Sequence, residues 1–217
     1  MMYGCKVICF YVIYSKSKNF VFIHIYKCAG TSIRNALKPY NDTFNKRLFL
    51  DNCLASFGVN SSFAPSEHIG ARDAKIKYLG AKVWDNAYTF SVVRNPWDWQ
   101  VSLYSYILQL ATHHEHKLVS AMKSFDEYIA WRCEKYFPSQ SRFLVDLKGN
   151  LLVKDVYRLE SLASDVQRLA SHIGCDVCLK RLNQSRSDSY RKYYSDKSRE
   201  MVRSFFKEDI ERFGYEF

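Results

Sequence analysis

Proline and glycine are scarce, four and eight in 217 residues, and no Pro/Gly/Ser-rich tract, internal repeat or low-complexity stretch divides the chain. This excludes a fibrous or linker-rich protein and favours one unit over residues 1–217. Long apolar runs are also missing: the amino-terminal "MMYGCKVICFYVIYSKSKNFVFIHI" is broken by Lys6, Lys16 and Lys18 into pieces too short to span a bilayer. It also makes a poor cleaved signal, because its first apolar run leads directly into the next apolar segment. The expectation is a cytoplasmic protein without a membrane span. Cysteine lacks a framework: there are seven, an odd number, and Cys175 and Cys178 form the one CxxC, without the second pair of a structural zinc site. We therefore expect reduced thiols and no metal. The nucleotide loop G-x-x-x-x-G-K-[ST] is absent as well.

What is present is apolar and basic. Hydrophobic residues make up 47% and aromatics 16%, enough for one sizeable core. Thirty-two Lys and Arg against twenty-two Asp and Glu leave a net charge of +10, which points to polyanions, namely nucleic acid, an acidic membrane surface or a phosphorylated small molecule, without choosing among them.

Residues 7–14 and 20–25 read as strands joined by "SKSKN", the second apolar at nearly every position as in a sheet covered on both faces. A helix follows from Thr31 to Leu37, then a short helix over 69–79 ended by Gly80, and a strand over 87–93. "RNPWD" then opens a helix with Asn95 as cap and Pro96 in its first turn, and Trp97, Val101, Tyr104 and Leu108 are expected to form its buried face. Residues 143–159 read as a hairpin turning at Lys148-Gly149-Asn150. A helix from Ser161 buries Leu162, Val166, Leu169 and Ile173 and stops at Gly174. One last helix sets Met201, Val202, Phe205, Phe206, Ile210 and Phe213 in register before Gly214. The alternation predicts an α/β fold with a mainly parallel sheet.

Two strand-to-helix corners carry the chemistry. In "FVFIHIYKCAGTSIRNAL" an apolar strand stops at Lys27 and a helix begins after Ala29-Gly30-Thr31-Ser32. Free N–H groups and the positive end of the helix dipole at such a corner suit phosphate, Thr31 and Ser32 add hydroxyls, and Lys27 adds a mobile charge. In "SVVRNPWDWQVSLY" a second strand ends at Arg94, and Ser102 follows Asn95 by seven residues, about two helical turns. Two such ends suit a ligand with two anionic groups at the carboxyl edge of an open sheet.

"FIHIYKCAGTSI" resembles the 5′-phosphosulfate motif, and "VVRNPWDWQVSLY" the 3′-phosphate motif, of sulfotransferases that use 3′-phosphoadenylyl sulfate (PAPS), in particular their carbohydrate and heparan 2-O-type branch with its bacterial relatives. "SEHIGARDAKIKYLG", "VYRLE" and the tail from Tyr190 are similar to that branch too, so the resemblance covers nearly the whole chain. Tyr26 stands where the first motif usually has Pro, and Cys28 where it often has Thr. The resemblance implies a P-loop-like three-layer fold. It also implies that Lys27, Cys28, Ala29, Gly30, Thr31 and Ser32 hold the phosphosulfate, Arg94 and Ser102 the 3′-phosphate, and Ser185 and Arg186 the nucleotide's open side.

What it implies chemically is transfer of a sulfuryl group to a hydroxyl, sugar-borne in that branch, with adenosine 3′,5′-bisphosphate as product, no metal, and an acceptor glycan as partner. Lys27 would serve the leaving group and His68 would be the base, with Glu67 its nearest rival. His24, inside an apolar strand, reads as a hydrogen-bonded core histidine. His113, His114, Glu115 and His116 read as a solvated helix end lining the acceptor cleft. The alternatives are a basic nucleic-acid-binding protein, which the "RSDSYRKYY" stretch would serve and the acid-interleaved charge of "KEDIER" opposes, and a P-loop-type kinase, which the missing Walker lysine opposes.

Overall fold

A computed structural model describes residues 12–42, 69–135, 137–179 and 190–217. These form a four-stranded sheet whose spatial order follows the chain: β1 Val12–Ser15, β2 Phe20–Ile23, β3 Tyr88–Val93 and β4 Asp155–Arg158. β1 runs antiparallel to β2, and β2, β3 and β4 are mutually parallel, so the α/β class and the mainly parallel sheet are as expected. The β1–β2 turn is tied down by Asp42, whose carboxylate accepts from Lys16 N at 2.9 Å and Ser17 N at 3.2 Å. Every residue of β2 is buried, as are all of β3 after Tyr88. Such strands read as unbroken apolar runs because neither face meets water.

The helices are α1 Gly30–Leu37, α2 Ala81–Asn86, α3 Pro96–Gln109, α4 His116–Ser120, α5 Phe125–Glu134, α6 Leu162–Ile173, α7 Asp196–Phe205 and α8 Lys207–Phe213. Ahead of α2, one α-turn, Ala71–Asp73, passes into a π-helical stretch, Ala74–Leu79, where one short helix was expected. Asn95 caps α3 as its sequence predicts, accepting from Trp97 N at 3.1 Å.

Three expectations are corrected. The hairpin over 143–159 is reduced to a single antiparallel bridge, Val145 to Leu151, around a turn in which Asp146 accepts from Lys148 N and Asn150 N. Lys154 N then bonds Thr89 O at 2.8 Å, and Trp84 Nε1 bonds Leu152 O at 3.0 Å, so the chain is drawn onto the edge of β3 and pairs there in parallel. In α3 the expected face is too narrow: Leu108 is 36% exposed, whereas Trp99, Gln100, Leu103 and Ile107 are buried with Trp97 and Val101. This helix lies inside the protein and is covered almost all round in its first two turns. The last helix breaks at Phe206, whose side chain is buried, and α8 restarts at Lys207 with Asp209 buried in its first turn.

Asp209 anchors the loop before the bridge. Its two carboxylate oxygens accept from Gln140 N and Ser141 N, each at 2.7 Å. Asp209→Ala leaves both buried N–H groups unpaired and is expected to cost about 2–4 kcal/mol, with Asp209→Asn, which can accept only one of them, in between. Urea unfolding measures this, and an Ala variant within about 0.5 kcal/mol of wild type, the range of an ordinary surface change, would show that the loop does not depend on Asp209.

Candidate functional site

Because β2, β3 and β4 are parallel, their carboxyl ends share one edge of the sheet, and the chain leaves that edge at His24, Arg94 and Leu159. The first exit is strained. Lys27 and Ala29 both have left-handed backbones, φ 61° and 56°, a conformation that costs a non-glycine residue roughly 1–2 kcal/mol. Four contacts hold it: Trp99 Nε1 donates to Tyr26 O at 2.8 Å, Arg94 Nη1 to Lys27 O at 3.2 Å, Cys28 N to Ile25 O at 3.3 Å, and Cys28 Sγ to Gln140 Oε1 at 3.3 Å. Helix α1 starts directly after this turn without a side-chain cap, so its first N–H groups face outward from Gly30, Thr31 and Ser32.

The second exit is held as firmly. The Gln140 side chain brackets Arg94, accepting from its N–H at 2.8 Å and donating to its carbonyl at 2.8 Å. The Arg94 guanidinium is aimed by Asp98, one helical turn on, through Nε at 2.8 Å, and both side chains are about nine-tenths buried. Lys27 Nζ lies 4.3 Å from the centre of the Tyr106 ring. Burial, and after it the nearby Arg94 charge, hold the Lys27 ammonium below the ordinary lysine value of 10.5.

Both exits open into one cleft of about 1260 Å³. Of the residues expected to bind, Lys27, Ala29, Gly30, Thr31, Ser32, Arg94 and Ser102 line it together. Cys28 does not: its side chain is fully buried and turned toward Gln140, its N–H is engaged within the turn, and burial pushes its thiol well above the usual range. His68, its rival Glu67, Ser185 and Arg186 lie outside the described residues.

Several lining residues were missed or misread in the sequence. His24 is not only a core residue: it is 7% exposed, stacked on Phe22 with centroids 6.1 Å apart, and lies in the cleft wall. Its imidazole explains Gly30, since a Cβ built there would stand 1.6 Å from His24 Nε2. The glycine thus makes room for a ring rather than for an unusual φ, and the signal was the six-residue spacing of a histidine and a glycine across one corner. Tyr26, Tyr106 and Arg132 also line the cleft. His113, His114 and Glu115 line it as well, with ligand-type atoms within 4.8 Å of one another, whereas His116, expected beside them, does not and instead sets its Nδ1 2.8 Å from Ile107 O. His113 Nδ1 accepts from Glu115 N at 3.1 Å, so the neutral ring carries its proton on Nε2 and presents a donor, not a base, from that nitrogen. No family model matches this sequence, and neither a curated protein nor a solved structure matches it.

The Gly30–His24 packing is directly testable. Gly30→Ala forces the ring or the helix start to move and is expected to destabilise by about 1–3 kcal/mol. In the His24→Ala background the same change should be nearly neutral, as a double-mutant cycle in urea would show. Additive losses would mean the two residues do not share the space.

Proposed function

We propose that the protein is a sulfotransferase that moves the sulfuryl group of PAPS to a carbohydrate hydroxyl, within a P-loop-like arrangement of sheet and helices. The observation that carries this reading is that the two strand-end anion corners, Lys27 with Gly30–Ser32 and Arg94 with Ser102, line a single cleft. An ordinary surface lysine and a structural arginine would not need to meet.

In this reading the first N–H groups of α1 and the hydroxyls of Thr31 and Ser32 grip the phosphate bearing the sulfuryl group, and Lys27 reaches its leaving oxygen. Arg94, aimed by Asp98, meets the 3′-phosphate with Ser102. The acceptor oxygen attacks sulfur in line as the sulfur–oxygen bond to the phosphate breaks, and the acceptor proton passes to a base, the role we assign to His68. Positioned cations suffice where charge shifts onto one phosphate oxygen.

Incubation with labelled PAPS and a glycan panel, together with titration by adenosine 3′,5′-bisphosphate against ATP, tests the reading. We expect transfer, and bisphosphate binding much tighter than ATP; failure of both would refute it. Lys27→Ala should lower turnover by about 10²–10³-fold, whereas Arg94→Ala should mainly weaken bisphosphate binding, by about 10–100-fold. Activity of His68→Ala near wild type would move the base elsewhere.

A pH profile gives a separate check. The cationic form of Lys27 exists below its pKa, which lies under 10.5, so bisphosphate affinity should fall as pH rises and begin to do so earlier than for an ordinary lysine. Lys27→Arg, charged throughout, should flatten that fall, and an unchanged profile would remove Lys27 from the binding site.

A further inference from the structure

Helix α3 places Asp98, Ser102 and Tyr106 four residues apart along one stripe, and all three line the cleft. Asp98 aims Arg94, and Ser102 belongs to the second anion corner. Tyr106, which stands outside both motifs, lies against Lys27, whose ammonium is 4.3 Å from its ring centre. The ring is itself braced from the loop after α3: His113 meets it edge-on at 86°, with centroids 5.7 Å apart. That loop is held in turn, since Leu110 N bonds Tyr106 O at 3.1 Å and His113 N bonds Leu110 O at 2.8 Å.

The Lys27 side chain needs such a support. Its backbone is fixed, with φ 61° and its carbonyl held by Arg94 Nη1 at 3.2 Å, but the four-carbon stem beyond it has many rotamers. Burial and the Arg94 charge both work against an ammonium at this place. A carboxylate would hold the group and cancel the charge that a leaving oxygen requires. A ring face attracts the ammonium through its quadrupole, most strongly where water is excluded, and leaves its positive charge and N–H donors for an oxygen ligand.

We infer that Tyr106 is the positioning residue for Lys27, seating its ammonium on the ring face so that its charge and N–H donors meet the transferring end of the sulfuryl donor. The chemical consequence rests on the sulfotransferase reading, whereas the seat rests on the geometry of Lys27 and Tyr106 alone. The ring face carries this role, and the Tyr106 hydroxyl has no part in it.

Two measurements test the inference, and one of them needs no donor. In magnetic resonance spectra of the full chain carrying isotope-labelled lysine, the Lys27 side-chain protons next to nitrogen are identified by their loss in Lys27→Met. They should resonate upfield of those of the other lysines, because they lie over a ring, both in wild type and in Tyr106→Phe, and should return to the common position in Tyr106→Leu. The position is 39% exposed, so Tyr106→Leu is expected to fold. In transfer from PAPS, Tyr106→Leu should lower turnover about tenfold and Tyr106→Phe by less than about twofold, while Tyr106→Leu added to Lys27→Met should cost nothing further, the ring then having no charge to hold. Lys27 protons placed like those of other lysines, equal losses from Tyr106→Leu with and without Lys27, or a Tyr106→Phe variant as impaired as Tyr106→Leu would each overturn the inference. Absence of both transfer and bisphosphate binding in the wild type would instead refute the sulfotransferase reading, and an upfield Lys27 signal that is lost in Tyr106→Leu would still establish the seat.

Discussion

The Gln140 side-chain amide joins the two corners of the cleft. Its oxygen accepts from Arg94 N and from Cys28 Sγ, and its nitrogen donates to Arg94 O, so one residue touches the end of β3 and the turn after β2 together. Neither corner is a continuation of regular pairing at that point, and buried N–H and C=O groups beyond the end of a strand need partners from elsewhere. Gln140 supplies them from a loop that is itself held by Asp209 of α8. The separation of Lys27 from Arg94 is thus set by a chain of hydrogen bonds reaching back to the carboxyl-terminal helices, and disturbing that far end would be felt at the cleft.

This support matters because the site concentrates features that cost free energy. Two left-handed non-glycine residues, a buried arginine–aspartate pair and a partly desolvated lysine lie close together. Each persists only where its surroundings over-determine it. The Arg94–Asp98 pair serves orientation more than stability, since burying both charges offsets most of their attraction. With Nε held by Asp98 and Nη1 by the carbonyl of Lys27, the guanidinium cannot rotate away. The same contact ties the backbone of Lys27 to Arg94, so the two cations are placed relative to each other. Their mutual repulsion helps lower the Lys27 pKa, and an anion between them would relieve it.

Local signals in the sequence explain what could be read from it. Apolar runs marked the doubly buried strands β2 and β3, Asn95-Pro96 marked the start of α3, and Gly174 and Gly214 marked the ends of α6 and α8, where both adopt left-handed backbones. Both corners of the cleft were legible because each is a contiguous strand–turn–helix. β4 was not: Asp155–Arg158 looked like the return strand of a hairpin because local turn chemistry at Lys148-Gly149-Asn150 is strong, while its partner, β3, lies some sixty residues away. The break at Phe206 was hidden for a similar reason, since the spacing of Val202, Phe206 and Phe213 fits one helix, whereas Asp209, a charged residue between them, is fully buried on the restarted helix. The charge was readable: Lys207–Glu211 and Arg212–Glu208 pair along α8, so the basic residues of "KEDIER" are part of a solvated, internally balanced face.

Tyr26 and Cys28, where the first corner departs from the motif it was likened to, are both held by tertiary contacts. Where that motif usually has proline, Tyr26 packs its ring 4.9 Å from that of Trp99, gives its carbonyl to Trp99 Nε1 and meets Arg132 through its hydroxyl. Proline would restrict one torsion and keep the carbonyl bond, whereas tyrosine adds two side-chain contacts, its ring to Trp99 and its hydroxyl to Arg132. Where threonine is common, Cys28 turns its thiol inward to Gln140 and leaves the cleft to its neighbours. A hydroxyl there would make a stronger bond to Gln140, but a β-branched residue is harder to fit where no surface is exposed. Rigidity that a proline supplies locally is supplied here by the core. The geometry of the Lys27 turn therefore depends on Trp99, Gln140 and Arg132, residues that lie far from it in sequence and are invisible in any reading of the loop alone.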